Sequence, residues 1–183
     1  KAIEINPNHE NAIRNISILF RQVSIDFSTE FEREELKKLF IFLYSRNDIE
    51  HKDIFSNALK ILLNEKSYVE LKNTLNSNKL LELDVIEKLL NEKLFHLILQ
   101  KSLLSEVFLE QLLNKIRFEI LSLLIKKNLE ILKNKLEFII YLAEQCFLNE
   151  YCFFKSNEEI DWINKLIISV ENKKEVNEIE VAV

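Results

Sequence analysis

Ser105-Glu106-Val107-Phe108-Leu109-Glu110-Gln111-Leu112-Leu113-Asn114-Lys115-Ile116-Arg117-Phe118-Glu119-Ile120-Leu121-Ser122-Leu123-Leu124 places its apolar residues at steps of three and four. Phe108, Leu109, Leu112, Leu113, Ile116, Ile120, Leu121 and Leu124 then share one side of a 3.6-residue helix, with Phe118 beside them. The run is too long for an ordinary strand, and it lacks strict alternation. A long helix opening at Ser105 is expected. Lys126-Lys127-Asn128 should end it, because cations suit a helix C-terminus.

The same period extends in both directions. Asn6 as N-cap with Pro7 at the first helical position predicts a helix to about Asp26, burying Ile13, Ile16 and Phe20. Thr29 with Glu32 is a capping box, followed by the stripe Leu36, Leu39, Phe40 and Leu43. Asp48 is expected to cap a helix carrying Ile54, Phe55, Ala58, Leu59 and Leu62. Ser67 with Glu70 is a second box, whose short helix fades in the polar run 73–78. Asp84 with Glu87 opens the next helix, through Leu94, Phe95, Ile98 and Leu99. The stretch from about Lys133 to Phe154 is apolar on most faces and reads as a central, buried helix. Ser156 with Glu159 is a third box, leading into Ile160, Trp162, Ile163, Leu166 and Ile167. From Glu171 the chain reads as a solvated tail or linker, although 179–183 are suited to beginning a strand. The expected fold is all-α, a multi-helix bundle of about eight helices without a sheet.

Composition narrows the functions available. The 183 residues include no glycine, where average usage would supply about a dozen. A phosphate-cradling P-loop, a dinucleotide-binding G-x-G-x-x-G and a G-x-S-x-G nucleophile elbow all need backbone positions that only glycine tolerates. An S-adenosylmethionine loop of the same construction is excluded for the same reason. One proline and no glycine also leave tight hairpins almost no turn chemistry. With 48% hydrophobic and 30% charged residues the chain is globular in character. At this length it should bury about 70% of its unfolded surface, without help from a metal or a disulfide.

Net charge is −5, with an isoelectric point near 5.4 and no basic tract, which disfavours nucleic acid as a partner. The most apolar window, 136–154, is interrupted by Glu137, Glu144, Gln145, Asn149 and Glu150, so no membrane span is expected. Cys146 and Cys152 lie six residues apart. On a helix that spacing puts them about 240° apart around the axis, out of reach of each other. They read as buried free thiols in a reducing cytoplasm. With no methionine anywhere, the chain reads as a piece of something longer. Abundant Lys, Asn, Ile and Phe suit an AT-rich genome.

Two stretches resemble known families. Ala2-Ile3-Glu4-Ile5-Asn6-Pro7-Asn8-His9-Glu10-Asn11-Ala12 resembles the junction between two tetratricopeptide repeats, where proline ends one helix and sets the entry of the next. The repeat's Trp, Leu-Gly and Tyr positions do not follow. Leu142-Ala143-Glu144-Gln145-Cys146-Phe147-Leu148-Asn149-Glu150-Tyr151 resembles the helical segment between tetratricopeptide repeats and a class I S-adenosylmethionine-dependent methyltransferase domain in certain bacterial proteins. The stretch 94–124 fits the same segment, so the resemblance covers about residues 90–168. It implies a tetratricopeptide-like α–α superhelix, with 1–27 as the end of a repeat array and 28–170 as a helical bundle with a possible boundary at 73–83. Residues 171–183 would form the tail, and the methyltransferase domain would follow Val183.

Candidate site residues are few. Gln145 and Asn149 share a helix face at i, i+4, with Glu150 beside them, inside the most apolar segment. Buried polar groups there must find hydrogen-bond partners. They are expected to clamp neighbouring helices or a loop, or alternatively to dock a partner domain. Arg117, alone in an apolar stretch, is expected to pair with one of these acids. Glu158, Glu159 and Asp161, like Glu30, Glu32, Glu34 and Glu35, sit in first helical turns, where carboxylates complement the helix dipole without catalysis. His96 has no second ligand at i+3 or i+4, so no metal is expected. Trp162 and Tyr151 read as packing anchors. The expected function is a non-catalytic helical interaction or linker module of a larger tetratricopeptide-containing, methyltransferase-like protein. The alternative is a free-standing protein-binding helical repeat. Either would act in the cytoplasm on a protein partner, without a cofactor, catalytic residue or metal of its own.

Overall fold

The computed structural model describes residues 6, 9–76, 88, 91–104, 106–126, 132, 135–149 and 154–171. Among them are eight helices and no strand, so the all-α class expected from the hydrophobic period is the class observed. In chain order they are α1 (Glu10–Gln22), α2 (Glu30–Tyr44), α3 (His51–Leu63), α4 (Lys66–Asn76), α5 (Lys93–Lys101), α6 (Val107–Ile125), α7 (Leu136–Leu148) and α8 (Asn157–Glu171). None of the described helices is long and apolar enough to cross a membrane. The chain divides into two compact units, Lys1–Ser102 and Leu103–Val183. That division falls away from both the 27/28 boundary and the polar run at 73–83. The start of the expected helix at Asp84 and Glu87, and the strand-like 179–183, lie outside the described residues. The later part of that helix, Leu94 to Leu99, belongs to a separate helix, α5, because Glu92 caps a new start at Lys93 after the non-helical 91–92.

In the first unit α3 packs against α1, α2 and α5, because its apolar residues surround most of its circumference. Ile54, Ala58, Ile61 and Leu62 are fully buried. Each of these isoleucine and leucine side chains contributes about 1.5–3 kcal/mol on leaving water, which makes α3 the pivot of this core. Phe20 of α1 meets Phe40 of α2 with ring centres 4.8 Å apart, and Tyr68 of α4 sits edge-on to Phe95 of α5 at 5.9 Å. Tyr44 and Ser102 share a buried hydroxyl–hydroxyl hydrogen bond of 3.0 Å. Burial raises the Tyr44 phenol to about 12, against the opposing effect of that bond.

Helix starts follow local acceptors, and several differ from expectation. The Thr29–Glu32 box forms in full: Glu32 N–H donates to Thr29 Oγ1 at 3.1 Å, and Thr29 N–H to Glu32 Oε2 at 3.2 Å. Asn6 is not the cap of α1. His9 caps it instead, accepting from Ala12 N–H at Nδ1 over 3.3 Å, and Pro7 lies outside the described residues. Nor does Asp48 cap α3, because Arg46 holds both of its oxygens at 2.7 Å, leaving Glu50 as an N-cap without a side-chain bond. Ser67 falls inside α4, which begins one residue earlier at Lys66.

α1 also stops short of Asp26, at Gln22. Asn57 of α3 accounts for this. Its amide donates to Phe20 O at 2.7 Å and Val23 O at 2.9 Å, and its oxygen accepts Ile25 N–H at 2.8 Å. A side chain that takes up the helix's terminal carbonyls leaves the next residues free to run extended.

In the second unit α6 packs against α8. Its buried face is the expected one, Phe108 through Leu124, and Phe118 packs on Trp162 with centroids 5.1 Å apart. Glu106 rather than Ser105 caps α6, its carboxylate accepting Leu109 N–H at 2.8 Å; Ser105 lies outside the described residues. α7 is shorter than the expected 133–154 and is not buried all round. Phe138, Ile139, Leu142 and Gln145 face inward, whereas Ile140 is 41% exposed and Phe147 67%. An apolar sequence on every face of a helix permits central burial but does not enforce it.

Candidate functional site

Arg117 is the best-connected of the expected site residues. Its guanidinium emerges from the buried face of α6, where a cation must be paired to be tolerated. Nε donates to Glu159 Oε1 at 3.0 Å, and Nη2 donates to the carbonyl of Phe154. The two side chains are 10% and 5% exposed. Glu159 therefore does more than complement a helix dipole. Its other oxygen accepts Ser156 N–H at 2.8 Å while its own N–H reaches Ser156 Oγ at 3.2 Å, so the third capping box and the ion pair share one carboxylate. Glu150, the nearest acid in sequence to Gln145 and Asn149, lies outside the described residues. The observed partner of Arg117 is Glu159.

Gln145 is fully buried and Asn149 half-buried. Asn149 is the C-cap of α7, and its amide donates to Gln145 O at 2.9 Å and to Gln145 Oε1 at 3.4 Å. The pair expected at i, i+4 is thus brought together, at the end of its own helix. Cys146 beside it is a free, half-buried thiol. Burial raises its pKa, partly offset by the Arg117 guanidinium, which favours the protonated thiol. Cys152 and Tyr151 lie outside the described residues.

A second polar cluster, in the first unit, has no counterpart among the expected site residues. Lys37 of α2 donates to Glu65 Oε1 at 3.1 Å and to Glu92 Oε2 at 2.7 Å. Burial works against this ammonium, but the bonds and charge of the two carboxylates outweigh it and raise its pKa. Glu92 also caps α5 through Leu94 N–H at 3.2 Å, so one lysine ties the start of α5 to α2. Among the described residues no group of three or more His, Cys, Asp or Glu stands close enough to hold a metal ion.

Two surfaces stand out beyond these clusters. A cleft of about 500 Å³ lies between α1, with Arg14, Ser17 and Arg21, and the segment entering α3, with Asp48, Glu50 and Asp53. On the second unit, α7 exposes Ile140, Phe147 and Leu148, and α8 exposes Ile160, Ile167 and Ile168. No protein-family model matches the chain, and comparison with curated proteins and with solved structures gives no match.

The period gave no signal for the cleft, because its walls come from segments that the α1–α3 packing brings together. Of the outer apolar residues, Ile160 and Ile167 belong to the apolar period of the last helix and Ile140, Phe147 and Leu148 to the run that reads as buried.

Proposed function

We propose that the chain is a non-catalytic helical interaction or linker module of a larger tetratricopeptide-containing, methyltransferase-like protein, working by docking and not by turnover. The observation that supports this reading is the outer face of the second unit. On α7 the exposed apolar residues fall at 140, 147 and 148, and on α8 at 160, 167 and 168, the same i, i+7, i+8 spacing twice. Residues seven apart lie within about 20° on a helix, so each set is a stripe and not a scatter. Isolated exposed isoleucines are ordinary, but a stripe on each of two helices suits surfaces that another domain covers. The residues concerned lie within or beside the stretch that resembles the segment preceding a methyltransferase domain. On this reading the module acts in a bacterial cytoplasm with a protein partner, and uses no cofactor, membrane or nucleic acid. Sequencing the coding DNA past Val183 is the test. A frame that continues into a strand and a glycine-rich turn supports it, and an immediate stop codon overturns it.

A free-standing tetratricopeptide-like protein–protein interaction module is the second reading. The polar cleft on the first helices favours it, since such a module would recognise a peptide there. Under this reading the second unit's stripes would be incidental, and substituting them would leave peptide binding intact.

A further inference from the structure

Asp53 sits in the first turn of α3, only 7% exposed, on the wall of the cleft that α1 forms with the segment entering α3. A buried carboxylate ordinarily accepts several hydrogen bonds or a close cation. Glu159 in this same chain does both, as described above. Asp53 does neither. Among the described residues it accepts no side-chain hydrogen bond, and its one ion pair is with Arg21 Nη1 at 3.7 Å, from a side chain that is 56% exposed. The helix dipole explains why an acid is tolerated in a first turn. It does not by itself account for a carboxylate that lines a cavity and is held by one loose ion pair. Of the other acids on the cleft, Asp48 is held by Arg46 at both oxygens and Glu50 is exposed beside Lys52 at 3.5 Å, which leaves Asp53 as the buried carboxylate there.

We propose that this cleft binds the cationic group of a basic amino-acid residue, arginine or lysine, free or within a peptide, with Asp53 as its counter-ion. The volume of about 500 Å³ admits such a side chain together with its backbone. Arg21 is the group displaced. A half-exposed guanidinium at ion-pair but not hydrogen-bond distance is held weakly and swings into water at little cost. Arg14, exposed on α1 along the same cleft, forms no ion pair among the described residues. It repels a bare cation but accepts a ligand whose carboxylate or carbonyl accompanies the cation. That combination is what an amino-acid residue carries and a simple amine lacks. The proposal draws on the cleft alone, independently of the first reading above, and within the second reading it names the chemistry of the ligand.

The test is a titration of the isotopically labelled full chain, followed by amide shifts, with three probes: L-arginine, agmatine, and the capped tripeptide acetyl-Ala-Arg-Ala-amide. Saturable shifts at Ser17, Arg21 and Asp53 are expected with L-arginine or the tripeptide, and weaker ones with agmatine. Stronger binding of the tripeptide identifies a peptide ligand, and stronger binding of L-arginine a free amino acid. Asp53→Asn should weaken binding about tenfold or more, as loss of a charge-assisted hydrogen bond does. Arg21→Gln should strengthen it, because the internal competitor is gone. Absence of saturable shifts with all three probes overturns the proposal, as does equal affinity in Asp53→Asn. Should Asp53→Asn fail to fold, Arg21→Gln decides alone: affinity that is unchanged or lower there overturns it.

Discussion

Arg117 Nε and Glu159 Oε1 are 3.0 Å apart, and this bond joins the middle of α6 to the first turn of α8 across 42 residues of sequence. Both side chains are nearly excluded from water. The pair's net contribution to stability is modest, since each ion gave up its hydration to form it, but removing one partner strands the other. Glu159→Gln removes the charge, keeps one acceptor oxygen and turns an NH2 donor toward either Ser156 N–H or the Arg117 guanidinium. It should cost about 3–5 kcal/mol in denaturant unfolding. Adding Arg117→Leu should recover a large part of that loss. A double variant no more stable than the single one would show that the two residues do not act as a pair.

Asn57 holds the chain where α1 ends, through the carbonyls of Phe20 and Val23 and the N–H of Ile25. Asn57→Ala leaves those three backbone groups to find water or stay unsatisfied. A loss of about 1–3 kcal/mol is expected. Hydrogen exchange at the Ile25 amide should accelerate before the rest of the unit opens. Unchanged protection at Ile25 would mean that the extended segment is held by something else.

His51 occupies the first position of α3, stacked on Tyr44 at 5.2 Å, with Nε2 on Arg46 O at 2.9 Å. Burial lowers its pKa, against the opposing pull of the Arg46 carbonyl, and the positive end of the helix dipole works in the same direction as burial. A histidine depressed in the folded state binds fewer protons there than in the unfolded chain. It therefore contributes stability above its ordinary value of 6.5, and that contribution is lost as pH falls toward the folded pKa. The ring should titrate by NMR below the free-histidine value, and His51→Gln should flatten the stability profile just under pH 6.5. Titration at or above the ordinary value contradicts this.

Ile167 lies on the outer stripe of α8, 47% exposed. Changing it to Glu should shift unfolding free energy by no more than about 0.5 kcal/mol, as for most surface positions. Binding of an apolar dye such as bis-ANS to the folded chain should fall at the same time. A large loss of stability would instead identify the stripe as part of an internal contact.

The helical class was legible because its evidence is local. Apolar residues at steps of three and four within 105–124, and a Thr or Ser followed three residues later by Glu at 29 and at 156, involve contacts no further away than one turn. Any fold that buries these stripes keeps those helices, so eight of them follow from the order of residues. Contacts between distant residues were not legible in the same way. Arg117 is expected by sequence to pair with an acid near Gln145, whereas its partner is Glu159, 42 residues away. The reason is physical. Several acids lay within reach of each base by sequence, and their intrinsic affinities are nearly equal. Packing α6 on α8 brings Glu159 to 3.0 Å from Arg117, and packing α3 on α1 brings Asn57 to the carbonyl of Phe20. The inward face of α7, the Asn57 clamp and the cleft beside Asp53 all arose at that stage, because each is a relation between helices and not a property of any one of them.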